Sequence, residues 1–238
     1  MNEQLKSLYE AYFLQLKERE FPEKTSAPLF MSVFDKYHTS KQKILIVGQE
    51  TNGWREMNFI KYSVNSLTKD YQIFSLGQNR NFGGYEGKKK RDYLTSYFWN
   101  FSRSFFSKIN EVDRGEKGFL WTNISKFDIN TTTPNKEYYY LESFELLRKE
   151  VKIINPDIVL FMTGDKYSEE IENLLNLKFE TIFTVESGKT SIERVNRIKD
   201  EDFPKHTYRI NHPRYLCSIR SYKTILDKLI ELINHSKS

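Results

Sequence analysis

Three residues of a kind that can do chemistry stand at comparable places in this sequence. Glu50 follows an aliphatic run in "ILIVGQETNGW", Asn123 sits near the end of "GFLWTNI", and His212 precedes a proline in "HTYRINHP". A carboxylate can orient or activate a water, and a carboxamide presents both a donor and an acceptor to the edge of a heterocycle. An imidazole can donate to an oxygen that gains negative charge. The set suits hydrolysis of a bond to a planar, polar leaving group. Release of a base from a nucleoside is such a reaction: C–N cleavage is largely dissociative, water attacks the sugar carbon, and stabilising the departing base anion lowers the barrier.

These residues depend on the elements that carry them. The run from Ile44 to Val47, nearly continuous and bounded by Gly48, reads as a central strand of a parallel sheet covered on both faces. "GFLWTNI" from Gly118 to Ile124, "DIVLFMTG" from Asp157 to Gly164 and "HTYRINHP" from His206 to Pro213 read as three further strands. Helices are expected at about Gln4 to Arg19, Asp92 to Ile109, Glu137 to Ile154, Ser168 to Leu175 and Ser218 to Ile233, with a short strand pair near Thr181 to Val185. The helix ending at Ile154 is stopped by Asn155 and Pro156. From about Gln49 to Lys90 the sequence reads as one long irregular region, which in a compact domain is usually a working part. Strands separated by helical crossovers imply a parallel sheet with helices on both sides. Ligands in such sheets sit beyond the carboxyl ends of the strands, so Glu50, Asn123 and His212 are expected on one rim.

The 238 residues suffice for one large α/β domain, and no repeat or linker divides them, so a single domain over 1–238 with an N-terminal helical segment to about 40 is expected. No run approaches the ~18 apolar residues of a membrane span, and the first residues lack the order of a signal peptide. A cytoplasmic protein without a membrane partner is the expectation. One cysteine, Cys217, excludes a disulfide framework or a cysteine-based cluster within the chain. The four histidines show no paired ligand spacing, so neither metal nor cofactor is expected. The net charge of +5 suits a polyanionic partner. Lys88, Lys89, Lys90 and Arg91 stand beside a tract rich in Phe, Tyr and Trp, a mixture that contacts phosphates and stacks on unpaired bases, although a solvated loop followed by an amphipathic helix has the same composition.

Three motifs in this order resemble the uracil-DNA glycosylase superfamily. "GQETNG" at Gly48 to Gly53 is similar to its first motif, "GQDPYH" or "GINPG" in different branches. "FLWTN" at Phe119 to Asn123 resembles its asparagine-bearing strand, "NPDIVLFMTG" its third strand, and "HPRYL" at His212 to Leu216 its last motif, "HPSPL". The resemblance spans about residues 40 to 235. It implies a three-layer α/β/α sandwich around a four-stranded, mostly parallel sheet in the order 2-1-3-4. It also implies a monomeric, metal-independent enzyme that hydrolyses the N-glycosidic bond of a flipped-out base in DNA. Glu50 would then activate water, His212 would stabilise charge on the base oxygen, Gln49 would contribute backbone contacts, and Asn123 would read the base edge. Trp54, Tyr62 and Phe74 are candidates to stack on the base. Arg214, Tyr215 and Leu216 would contact DNA, with Leu216 at the position of the residue that wedges into the duplex.

The departures bear on the substrate. Where uracil-selective relatives carry "PY", the tyrosine being a gate against substituted bases, this chain has Thr51 and Asn52. A pocket for uracil or a larger modified pyrimidine is therefore expected, with a role in repair or in defence against foreign DNA. The alternative is a catalytically inactive nucleic-acid-binding protein that keeps the glycosylase fold. "SGKTS" at Ser187 to Ser191 lacks the upstream glycine of a phosphate loop, and Pro156–Asp157 lacks the acid-x-Lys spacing of a nuclease.

Overall fold

The chain is an α/β fold: a six-stranded mixed sheet in the order β2-β1-β3-β6-β5-β4, with helices on both sides. The computed structural model describes residues 1–79, 82, 94–132, 134, 137–164, 167–168, 171–172, 176–187 and 191–235. The elements in chain order are α1 (Asn2–Lys17), α2 (Asp35–Thr39), β1 (Ile44–Gly48), α3 (Val64–Phe74), α4 (Tyr97–Asn110), β2 (Leu120–Asn123), α5 (Glu137–Ile154) and β3 (Ile158–Phe161). Then come β4 (Lys178–Ser187), β5 (Ser191–Lys199), β6 (His206–Arg209), α6 (Pro213–Ser218) and α7 (Tyr222–Asn234). Two compact units are formed. The first comprises Met1–Phe34, Gly48–Leu94 and Leu120–Asn155, and the second Asp35–Val47, Thr95–Phe119 and Pro156–Ser238.

In the second unit β1 and β3 are fully buried aliphatic strands that pair in parallel, Ile44 with Ile158 through Val47 with Phe161. The carboxylate of Asp157 accepts the backbone N–H of Lys43 at 2.8 Å, which fixes this register at the strands' start. β6 pairs in parallel with β3, His206 opposite Ile158, and the ladder runs on past it as Ile210 N–H donates to the Phe161 carbonyl at 2.9 Å. The sheet has two strands more than the four expected. The pair foreseen near Thr181 to Val185 is a long antiparallel hairpin, β4 and β5, which joins the sheet where β5 pairs with β6. The closing helix expected from about Ser218 begins at Tyr222 as α7, and a short helix not expected there, α6, precedes it. Arg220 has φ 58°, a left-handed conformation that ends α6, and α7 begins two residues later. Both helices pack against α4.

The first unit is organised around a buried charge. Lys126 and Glu150 both have fully buried side chains, with Nζ 2.6 Å from Oε2. Lys126 also donates to the Thr122 hydroxyl, which donates to Glu150 Oε2 at 3.2 Å, while Tyr9 Oη donates to Oε1 at 2.8 Å. The carboxylate thus gathers α1, the end of β2, the segment after it and α5. Tyr9 in turn accepts the N–H of Met31 at 3.3 Å and stacks on Phe30. Burial, then the adjacent carboxylate, pushes the Tyr9 phenol well above its usual range, and burial pulls the Lys126 ammonium below its own, an effect its pairing with Glu150 opposes.

The expected long irregular region contains a helix. α3 starts at a reciprocal cap between Ser63 and Ser66 and buries Val64, Leu67, Tyr71 and Phe74 along one side. The helix expected from Asp92 begins at Tyr97, residues 92 and 93 lying outside the described residues. The helix expected at about Ser168 to Leu175 lies in part outside them too.

Removing one half of the buried pair leaves the other charged and unsolvated. Lys126→Met should lower unfolding free energy by about 3–5 kcal/mol in urea titration. Lys126→Met combined with Glu150→Leu should be less destabilised than Lys126→Met alone.

Candidate functional site

The turn after β1 is held by residues far away in sequence. Thr51 Oγ1 donates to Asp128 Oδ2 at 2.6 Å, and the Gly53 N–H donates to the same oxygen at 2.9 Å. Asp128 Oδ1 accepts the N–H of Thr131 at 2.8 Å. With the proton of Thr51 committed to the carboxylate, Ser26 is the donor in the 2.8 Å contact between their hydroxyls, and Ser26 Oγ accepts the Asp128 N–H at 2.9 Å. Gly53 has φ 70°, which favours glycine there. Thr51 is therefore buried in a structural network, whereas Asn52 beside it is exposed.

The same turn is joined to the end of β2. Ile124 N–H donates to the Gly48 carbonyl and Ser125 N–H to the Gln49 carbonyl, both at 3.0 Å. Gln49 and Glu50, half-buried, thus lie next to the strand end that carries Asn123. Of the residues singled out in the sequence, Gln49, Glu50, Trp54, Phe74 and Asn123 are brought together in this unit.

Asn123 is only 1 % exposed and its orientation is fixed by its neighbour. Trp121 Nε1–H, which can only donate, lies 3.1 Å from Asn123 Oδ1, so the carboxamide must turn its oxygen towards the indole. The amide nitrogen Nδ2 has no hydrogen-bond partner among the described residues. Trp121 is itself held by α3, since its backbone N–H donates to Tyr71 Oη at 2.8 Å and the two rings stack.

Around Asn123 and Trp121 lies an aromatic cluster. Trp54, 5 % exposed, stacks on Phe82 with centroids 5.1 Å apart, and meets Phe74 and Trp121 edge-on at 5.3 and 5.9 Å. Arg55 covers Phe82 at 4.6 Å and is held by Asp70 through paired contacts of 2.8 and 2.9 Å. Trp54 Nε1 is a second buried donor without a hydrogen-bond partner among the described residues. Tyr62 stands apart: it is half-buried beneath the Lys61 ammonium and, among the described residues, makes no ring contact with this cluster.

The second unit carries His212 at the N-cap of α6. Its ring lies over Phe98 of α4, centroids 6.0 Å apart at 21°, and Nδ1 accepts the N–H of Arg214 at 3.2 Å. With Nδ1 used as an acceptor, the neutral ring carries its proton on Nε2, which is left as a donor. Burial, then the Arg214 charge, pulls the pKa of His212 down from 6.5 to about 4. A neutral imidazole with a fixed tautomer results.

The residues after His212 divide in a way the motif does not foretell. Leu216 is 0 % exposed, part of the buried side of α6 with Pro213, and this removes it as a wedge. Its first-turn neighbours Arg214 and Tyr215 are exposed, Tyr215 by 41 %. Lys88, Lys89, Lys90 and Arg91 lie outside the described residues. Among the described residues no three of His, Cys, Asp and Glu are grouped to hold a metal, and no helix is long and apolar enough to cross a membrane.

Sequence reasoning missed Asp128, Ser26, Lys126, Glu150 and Trp121. Only their spatial neighbours give them a role, and no spacing in the sequence marks it.

No protein-family model matches the chain, and no curated protein matches it.

The low pKa of His212 has a consequence for stability. Between about 4 and 6.5 the unfolded chain binds a proton that the folded chain refuses, so this group's contribution is complete above pH 6.5 and is lost as pH falls towards 4. An NMR titration should place the His212 midpoint near 4, and His212→Ala should flatten the stability profile over that window. A midpoint near 6.5 would refute the burial argument.

Proposed function

We propose that the chain is a DNA glycosylase, a divergent relative of the uracil-DNA glycosylases that hydrolyses the N-glycosidic bond of a flipped-out uracil or modified pyrimidine. The observation that carries this reading is the junction in the first unit. There the turn bearing Gln49 and Glu50 is hydrogen-bonded to the end of β2, and beside it a buried carboxamide has its donor side unpaired, next to a cluster of aromatic rings. A planar, acceptor-bearing heterocycle is what such a group recognises.

In this reading Glu50 positions and activates the attacking water without a metal, and Asn123 donates to the base. His212, neutral and donating from Nε2, stabilises the oxygen that takes up charge as the C–N bond lengthens. Nothing in this role requires an imidazolium, so activity should hold from neutral pH down to about 5 and fall as His212 protonates. The partner is DNA, contacted by Arg214 and Tyr215 and by the basic run Lys88 to Arg91. The setting is the cytoplasm, the working form a monomer, and the role repair or defence against foreign DNA. The place of the tyrosine gate falls on Asn52, a shorter and exposed side chain, and this supports the wider substrate range.

The test is mass-spectrometric identification of bases released from oligonucleotides carrying varied pyrimidines, with abasic sites quantified. Wild type should release at least one base, and Glu50→Gln and His212→Ala should each lower the rate by about 100-fold or more. No release from any substrate, with equal DNA binding by all three proteins, would instead establish a binding protein on a glycosylase-like fold.

A further inference from the structure

Trp54 and Asn123 share an unusual property. Both are more than nine-tenths buried, both present an N–H donor with no hydrogen-bond partner among the described residues, and both contact Trp121. The Trp121 indole occupies the Asn123 oxygen, so the unfilled hydrogen-bonding capacity on both side chains includes N–H groups that need acceptors. Aromatic packing explains where the Trp54 ring lies, but leaves its N–H unexplained. Phenylalanine would serve a purely apolar cluster without burying an unpaired donor.

We infer that the Trp54 indole N–H is a recognition donor that works beside Asn123, and that the pair selects heterocycles presenting two acceptor oxygens over those that replace one oxygen by an amino group. The inference rests on the reading that this cluster receives a base, and it deepens that reading by naming a determinant of which base. An amino group would bring a third donor against the two already unpaired, and a buried donor left facing a donor is what makes polar sites discriminate strongly. Trp54 thus has a further part beside the stacking expected of it: Phe82 takes one of its faces, and its edge supplies the selection.

Isothermal titration of the whole chain with free uracil and free cytosine reads this directly, without base release. Wild type should prefer uracil. Trp54→Phe should weaken uracil binding about tenfold and leave cytosine binding unchanged, collapsing the preference. Replacing Trp54 by benzothienylalanine, which keeps the bicyclic shape and lacks the N–H, should do the same with the melting temperature unchanged or raised. A merely structural Trp54 would weaken both ligands alike. That result, an unaltered preference in either variant, or no uracil binding by wild type, would overturn the inference. Collapse of the preference in a protein that never releases a base from DNA would uphold it and remove the glycosylase reading instead.

Discussion

An ammonium group with no access to water constrains the first unit more than any other feature. Lys126 can remain charged there only because Glu150 meets it and because Thr122 and Tyr9 complete the hydrogen bonding of the pair. Such an arrangement tolerates little displacement, since a shift of one member leaves a charge or hydroxyl unpaired in a low-dielectric interior. Three segments distant in sequence, around Tyr9, from Thr122 to Lys126, and around Glu150, meet in it. Its net contribution to stability can be small even so, because desolvation offsets most of the attraction; its effect is to allow one arrangement and penalise the others.

That constraint falls on the stretch that carries Asn123. Within seven residues Thr122 and Lys126 belong to the buried charge, Asn123 faces the aromatic cluster, and Asp128 holds the turn after β1. Lys126 fixes the path of the chain between Asn123 and Asp128, so the strand end and the opposing turn are set by one anchor. Its own backbone is pinned as well, its N–H by the Ser143 hydroxyl and its carbonyl by the Leu29 N–H. A site assembled on loops is given in this way the rigidity usually found on helices and strands.

What could be read in the sequence, and what could not, follows from the range of the interactions. The buried strands β1 and β3 show as aliphatic runs, and α5 matches its expected bounds because Asn155 and Pro156 stop it locally. α3 was hidden by its composition: its cap uses two serines, and its one buried side is diluted by polar neighbours. α7 starts at Tyr222 rather than at about Ser218 because Arg220 is left-handed, and arginine is a residue type that carries no such signal. Leu216 shows the same limit at the site. A motif gives its place after the histidine, but only the packing of α6 decides that Leu216 turns inward while Tyr215 stays exposed. Lys126 and Glu150 are further still from view, since charged residues are surface residues by default and nothing pairs them until the chain folds.

Unpaired donors weigh differently in the balance from the ion pair. Each buried N–H without a partner costs about 1–3 kcal/mol, against a total folding stability of about 5–15 kcal/mol for an ordinary domain. The first unit satisfies a lysine, a glutamate, an aspartate and several hydroxyls with high economy, so its packing is not loose in general. Asn123 and Trp54, both in contact with Trp121, are exceptions, as is the Tyr12 hydroxyl on α1. A fold that could remove the second one by exchanging tryptophan for phenylalanine, yet carries the indole, gains nothing in stability from its N–H. An acceptor brought from outside the chain would supply that gain, which is why the proposed recognition of a base is placed at the aromatic cluster of the first unit.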